Sequence, residues 1–315
     1  MAKPLIIDCD PGIDDAVALA CALFDPQVEL IGATAVEGCV TAEQSSRNLH
    51  AIIERLDPPR LPRLGVASPH NVSLATEGIG AMLYGPDGLG GECTAKTAPM
   101  QQRPSEKVLT DLIRAQPEQV TILCLGPLTN VANMLQRDPD LALQVHRLVI
   151  AGGSLGARGD ATRVAERNVY HDPDAARYVF KSNVTMTVVP LEVMTSYRMS
   201  LNRYDALPGP VSNVAQFLRC VLPAAFRAHR ERLGEESVLL KGLIAYATVV
   251  APDLFRVQEA RGDVETRGDL TTGMTIFDRS DSLGERSSME IAVEADADGL
   301  ARWVEKALQN ACYAA

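Results

Sequence analysis

Positive charge is in short supply in this chain relative to negative charge. Of 315 residues, 30 are lysine or arginine against 40 aspartate or glutamate, a formal net charge of −10. That balance argues against nucleic-acid and anionic-membrane partners, which favour basic patches. Long apolar runs are missing too: no stretch reaches the roughly 18 residues that a membrane span needs. Met-Ala-Lys-Pro at the start runs straight into an apolar strand, with no charged-then-apolar leader. Seven cysteines (9, 21, 39, 93, 124, 220 and 312) are scattered, with no Cys-x-x-Cys among them. They read as reduced thiols, mostly small core residues, and the expected address is cytoplasmic. Repeats, low-complexity segments and linkers are absent as well. A single domain over residues 1–315 is the expectation.

What the chain does have is an acidic cluster near its start. Asp8, Asp10, Asp14 and Asp15 fall within the run Leu5-Ile-Ile-Asp-Cys-Asp-Pro-Gly-Ile-Asp-Asp-Ala16. Four carboxylates this close repel one another unless something cationic sits among them. A hard cation such as calcium or magnesium takes oxygen ligands of this kind; a solvated acidic turn is the plainer reading. Asp8 has a structural role open to it, since a carboxylate in a strand-to-helix turn accepts backbone N–H bonds. An EF-hand loop starting at Asp8 is excluded by Leu19 at its twelfth position, where a glutamate is needed. A metal-dependent phosphatase with the pattern Asp-x-Asp-x-Thr/Val shares Asp8 and Asp10 but is disfavoured by Gly12.

Elsewhere, short aliphatic runs alternate with helical patterns. Strands are predicted near Leu5–Ile7, Leu30–Val36, Leu64–Val66, Val120–Leu125, Arg147–Ile150 and Thr185–Val189. Helices are predicted near Ala16–Leu23, Ala42–Leu56, Glu106–Arg114, Thr129–Gln136 and Asp174–Phe180. A long helix over 211–233, another over 243–250, strands near 274–277 and 289–293, and a final helix over 299–309 complete the pattern. Thr41-Ala-Glu-Gln44 fits a capping box. Continuous apolar strands alternating with helices predict an α/β, Rossmann-like fold with a mostly parallel central sheet flanked by helices. Ligands bind such sheets at the carboxyl ends of their strands. Residues 67–104, rich in Gly, Pro and Thr, have no clear periodicity and read as a functional lid or a partly disordered segment.

The acidic cluster resembles the signature of the inosine-uridine-preferring nucleoside hydrolase family. Leu125-Gly-Pro-Leu-Thr-Asn-Val-Ala132 is similar to the family's second motif. Ala151-Gly-Gly153, Glu166-Arg-Asn168 and Asp172-Pro-Asp-Ala-Ala176 are similar to its third. The resemblance implies hydrolysis of the N-glycosidic bond of a ribonucleoside, or a related N-riboside, to free base and ribose, by a homo-oligomer (dimer or tetramer). It also implies a calcium ion bound by Asp10, Asp15 and the backbone carbonyl of Leu125, with Asp10 as general base on a cation-bound water. Asp14, Glu166 and Asn168 would hold ribose hydroxyls.

Departures from the family pattern cluster around the expected site. Cys39 stands where the family usually has Asn, Tyr84 where many members have His, Asp160 where Asn is usual, and Arg167 where an aromatic is usual. Cys39 and Asp160 keep positions that face substrate. Alignment on Pro252 puts Lys241 and Gly242 at the family's His-Asp pair, so a leaving-group acid and a metal ligand are both replaced; Glu235 and Glu236 lie more than a turn upstream. Two readings are open for His229: a leaving-group acid or base-stacking partner, or a solvent-facing residue in the basic run 227–232. Two are open for function as well: turnover, or a degenerate member that binds ribose or a nucleoside without efficient turnover.

Overall fold

Leu5, Ile7 and Cys9 alternate with Ile6 and Asp8 along the first strand, and each set points into a different core. A computed structural model describes residues 2–69, 84–91, 103–156, 158–279 and 289–314. Strand β1 (Lys3–Cys9) lies between β2 (Val28–Ala35) and β4 (Thr121–Cys124), parallel to both. Beyond β2 lies β3 (Arg63–Gly65); beyond β4 lie β5 (Arg147–Ala151), β6 (Met186–Val189), β11 (Met289–Ala295), β9 (Phe255–Val264) and β10 (Thr275–Asp278). All pairings from β3 to β11 are parallel, and β9 pairs antiparallel with β11 on one side and β10 on the other. The order 3-2-1-4-5-6 is the doubly wound arrangement of a Rossmann-like α/β domain. Strand order reverses between β1 and β4, so the crevice at their carboxyl ends is where a ligand binds.

Helices cover both faces. One core gathers Leu5, Ile7 and Cys9 with helices α1 (Ile13–Leu23), α2 (Ala42–Leu56), α9 (Asn213–Ala228), α10 (Lys241–Val250) and α11 (Ala297–Ala314). The other gathers Ile6 with α3 (Ser105–Ala115), α4 (Thr129–Arg137) and α6 (Pro173–Phe180). Helix α1 begins at Ile13, three residues earlier than its apolar run suggests. Asp14 and Asp15 thereby fall in the first turn, where the helix dipole favours negative charge. Half of the expected capping box forms: Thr41 Oγ1 accepts from Gln44 N at 3.3 Å, while the Gln44 side chain turns to Asn48.

Several short elements escape the sequence pattern: α5 (Arg167–His171), α7 (Leu191–Met194), β7 (Arg198–Ser200), α8 (Leu201–Asp205) and β8 (Ser237–Leu239). β7 and β8 pair as a separate antiparallel ribbon that leads the chain into α10. The expected helix over 211–233 is α9 followed by a single π turn, His229–Leu233, closed by Gly234 at φ 69°. Most of the irregular stretch 67–104 lies outside the described residues. Its described part, 84–91, is a turn held by Asn48, whose Nδ2 donates to Pro11 O at 2.8 Å and Asp87 O at 2.7 Å. Among the described residues no helix is long and apolar enough to cross a membrane.

Candidate active site

Period-two alternation splits the four aspartates. Asp8 points away from the crevice into the α4 face, where its Oδ1 accepts from Thr34 Oγ1 at 2.6 Å and Asn130 Nδ2 at 2.8 Å. Asn130 braces Asp8 from α4, and it also donates to Ala35 O at 2.9 Å. Burial pushes the Asp8 carboxyl up to about 7, and the two donors pull against that.

Asp10, Asp14 and Asp15 line a cavity of about 320 Å³ at the carboxyl ends of β1 and β4, together with Cys39, Leu125, Asp160, Glu166, Asn168, His229, Lys241 and Gly242. The fold therefore brings together every residue singled out from sequence for the site. The Asp10 carboxylate is caged between two glycines. A Cβ on Gly38 would lie 2.2 Å from its Oδ2, and one on Gly126 would lie 2.8 Å from its Oδ1. Gly126 is thus more than the turn residue it reads as. Cys39 N donates to Asp10 Oδ2 at 2.5 Å, and Cys39 Sγ donates to Asp10 O at 2.7 Å, so this thiol braces the aspartate. Burial, with the charge of Asp14 adding to it, raises the Asp10 carboxyl to about 6 despite the Cys39 N–H. Asp15 is raised further by burial and by the charges of Asp14 and Asp10.

Across the cavity, Glu166 caps α5 and accepts from Gly153 N at 3.1 Å, Asn168 N at 3.0 Å and Val169 N at 3.2 Å. Its burial, more than any neighbour, lifts its carboxyl to about 7. Asn168 Nδ2 donates to Leu125 O at 2.6 Å and Ala151 O at 2.9 Å. Both amide hydrogens are thereby used, leaving Oδ1 as an acceptor for a hydroxyl. Asp160 accepts from Arg167 N at 2.9 Å and from Lys241 Nζ at 2.9 Å. Although burial alone would raise the Asp160 carboxyl, Lys241 and Arg167 together hold it below its ordinary value.

The far end of the cavity is apolar, formed by Tyr84, Met194, Leu233 and Leu239 around His229. His229 is 3% exposed, which settles its side of the helix against the solvent-facing reading. Its ring stacks on Tyr84, with centroids 6.4 Å apart and planes 17° from parallel, and Tyr84 Oη lies 3.2 Å from Nε2. Burial lowers the His229 imidazole, against the opposing pull of Ser237 and Glu235. Glu235 sits beside His229 Nδ1 at 3.7 Å and pairs with Arg198, so it is not turned to the aspartate cluster. Sequence reasoning marked Tyr84 as a departure from the family pattern but gave it no role, and left Met194, Leu233 and Leu239 out of the site.

A sugar-sized polar end rich in carboxylates, an apolar end with a stacked aromatic pair, and a doubly wound sheet define a glycoside-type pocket on a nucleotide-binding scaffold. Comparison with known proteins narrows this. Residues 5–302 match the family described as inosine-uridine preferring nucleoside hydrolase. A non-specific ribonucleoside hydrolase (RihC) of Escherichia fergusonii is 33% identical over 99% of this chain and 100% of its own. A purine-preferring ribonucleoside hydrolase from Gardnerella vaginalis superposes with a TM-score of 0.89 at 25% identity, covering 99% of this chain and 100% of its own. A plant nucleoside hydrolase, the PpNRh1 enzyme, superposes with a TM-score of 0.87 at 26% identity, covering 98% of this chain and 99% of its own. The chain belongs to the inosine-uridine preferring nucleoside hydrolase family and is an N-glycosyl hydrolase.

Members of that family are generally metal-dependent, and the donors in this site can be tested for fit. Asp10 and Asp15 are the carboxylates in place, the Leu125 carbonyl already accepts from Asn168, and position 242 has no side chain. A Cβ at Gly242 would lie 2.9 Å from Asp15 Oδ1 and 3.4 Å from the Asp14 carbonyl, so this position aims at the cluster. Among the described residues no group of three or more His, Cys, Asp or Glu side chains is arranged to hold a metal ion. With no carboxylate at position 242, the donor set offers a calcium ion less negative charge than the motif it replaces, and calcium affinity follows that charge.

Proposed function

We propose that this protein hydrolyses the N-glycosidic bond of a ribonucleoside, or a related N-riboside, with Asp10 as the general base. The observation that supports the reading is the caged Asp10 carboxylate, raised to about 6, set between hydroxyl-binding groups and an apolar aromatic end. A base works best when its pKa lies near the working pH. A pocket water gives its proton to Asp10 while its oxygen bonds to C1′; the C1′–N bond breaks, and the base nitrogen leaves with the electron pair. Asp14, Glu166 and the Asn168 Oδ1 hold ribose hydroxyls as the sugar flattens toward an oxocarbenium ion. Cys39 keeps Asp10 aimed. Tyr84 and His229 stack on the base and supply a hydrogen bond to the departing nitrogen. Assembly as a homo-oligomer and a cytoplasmic address belong to the same reading.

Ribosyl binding without efficient turnover is the second reading, favoured by glycine at position 242. Release of free base from a panel of ribonucleosides, compared between the parent and Asp10→Asn, separates the two. Base release by the parent that falls in the variant supports turnover. Binding without release supports the second reading.

A further inference from the structure

We propose that Lys241 is the resident cation of this pocket, and that the protein binds its ribosyl ligand without a divalent metal. The inference rests on the ribosyl-binding reading above and goes beyond it by replacing the ion that the family resemblance implies.

Its first support is position. The β7–β8 ribbon delivers the chain to the pocket so that α10 opens with Lys241 and Gly242 at the cavity wall. Of this pair, Gly242 is the position whose Cβ would aim at Asp15, yet it carries no ligand. Lys241 carries the charge instead, with Nζ 2.9 Å from Asp160 Oδ2 and its side chain only 23% exposed. Lysine is seldom buried unless paired. Here the pairing is to a carboxylate of the cavity wall rather than to a surface group.

Charge gives the second support. Among the described residues, five carboxylates line the cavity (Asp10, Asp14, Asp15, Asp160 and Glu166), against two cations, Lys241 and Arg167. The Arg167 guanidinium approaches Asp160 only to 4.0 Å. The Lys241 ammonium acts electrostatically on Asp14 and Asp15, which open α1, and on Asp160 and Glu166, which lie in the segment between β5 and α5. A calcium ion entering between Asp10 and Asp15 would find one carboxylate fewer than a His-Asp pair supplies. It would also meet a fixed positive charge. Calcium affinity follows ligand charge count, so both facts weaken it.

Chemistry gives the third. An ammonium has three N–H donors and no acceptor. One is spent on Asp160, and two remain for ribose hydroxyl oxygens or a water held between sugar and carboxylates. A compact, hydrated point charge on a flexible stem suits this task better than a planar guanidinium.

The test uses the full chain and D-ribose, which the enzyme cannot cleave. After chelation with EDTA, ribose at millimolar concentration should raise the thermal unfolding midpoint, and added calcium should leave that shift unchanged. Calorimetric titration of the parent with calcium alone should give no binding at micromolar concentrations. Lys241→Met should weaken ribose about tenfold or more in EDTA, the loss of a charged hydrogen bond, while Lys241→Arg should restore part of it. The double variant Lys241→His, Gly242→Asp should acquire calcium binding and make the ribose shift calcium-dependent. If the parent binds ribose only with calcium, or binds calcium tightly by itself, the proposal is overturned and the ribosyl reading stands. An unchanged ribose affinity in folded Lys241→Met also overturns it. A parent that binds neither ribose nor inosine under either condition overturns the ribosyl reading, and the proposal with it.

Discussion

Gly38 lies so close to Asp10 that a Cβ on the one would sit 2.2 Å from the Oδ2 of the other and 2.7 Å from its Cγ. Space for the proposed base is therefore reserved by a missing side chain. We predict that Gly38→Ala displaces the carboxylate and lowers kcat about 100-fold, the typical cost of a misplacement near 1 Å. Gly209, where an added Cβ meets nothing within 4 Å, is the control. Steady-state kinetics on both variants check this; a Gly38→Ala enzyme at the parental rate would show that Asp10 needs no such space.

Removing the proton acceptor itself should cost more. Asp10→Asn is expected to lower kcat about 100- to 10,000-fold with its shape kept. In the parent the carboxyl is raised to about 6 by burial, and only its ionised form accepts a proton. The rate should therefore climb as pH rises through about 6 and level off above it. A pH profile of kcat/KM that is flat from 5 to 8 contradicts the assignment.

At the other end of the cavity, the Tyr84–His229 pair can be separated by leaving group. His229→Ala should slow hydrolysis of a purine or pyrimidine nucleoside about 100-fold. It should scarcely affect an aryl riboside whose phenolate leaves unaided. Tyr84→Phe keeps the stack and removes the Oη at 3.2 Å, so its effect should be smaller and follow the same division. Equal losses on both substrates would make the pair a packing feature only.

Asp8 gives a stability prediction. Its folded carboxyl is raised to about 7 from 3.8, so the folded state holds the proton more tightly than the unfolded chain. The stability this contributes is present below about 3.8 and is lost as pH rises through about 7. Asp8→Asn keeps an acceptor for Thr34 and Asn130 and removes the buried charge. The variant should gain about 1–3 kcal/mol on the parent at pH 8, and the gap should close toward pH 4. Denaturant unfolding at several pH values measures it; a gap that does not change with pH rules it out.

Much of this was legible because buried parallel strands read as unbroken apolar runs, and β1, β2, β4, β5 and β6 all do. β9 was not: its sequence Phe-Arg-Val-Gln-Glu-Ala-Arg-Gly-Asp-Val is largely polar on a half-exposed strand near the sheet edge. The three-residue strands β7 and β8 and the short helical turns near them are too short to carry a period. Within the site, the aspartate cluster was evident from local spacing. Lys241 and Asp160 stand 81 positions apart in sequence, and the bond between them is created by the fold alone. The glycine cage around Asp10 was hidden for another reason: a glycine in sequence signals a turn equally well.

His229 opens the π turn that ends α9, and Leu233 closes it; both face the cavity. A π turn is a helix that has absorbed one residue more than its pitch requires, so the stretch 229–233 is the place in this wall where chain length is adjustable. Deleting one residue from Arg230–Arg232 would relax the turn to ordinary α pitch and swing Leu233 about 100° relative to His229. The wall formed by His229 and Leu233 would then be rebuilt while Asp10, Asp14, Asp15 and Glu166, carried after β1, on α1 and at the start of α5, stayed where they are. On the proposed reading, variation in the recognised base has a route through single-residue length changes at this turn, separate from substitution in the ribose site.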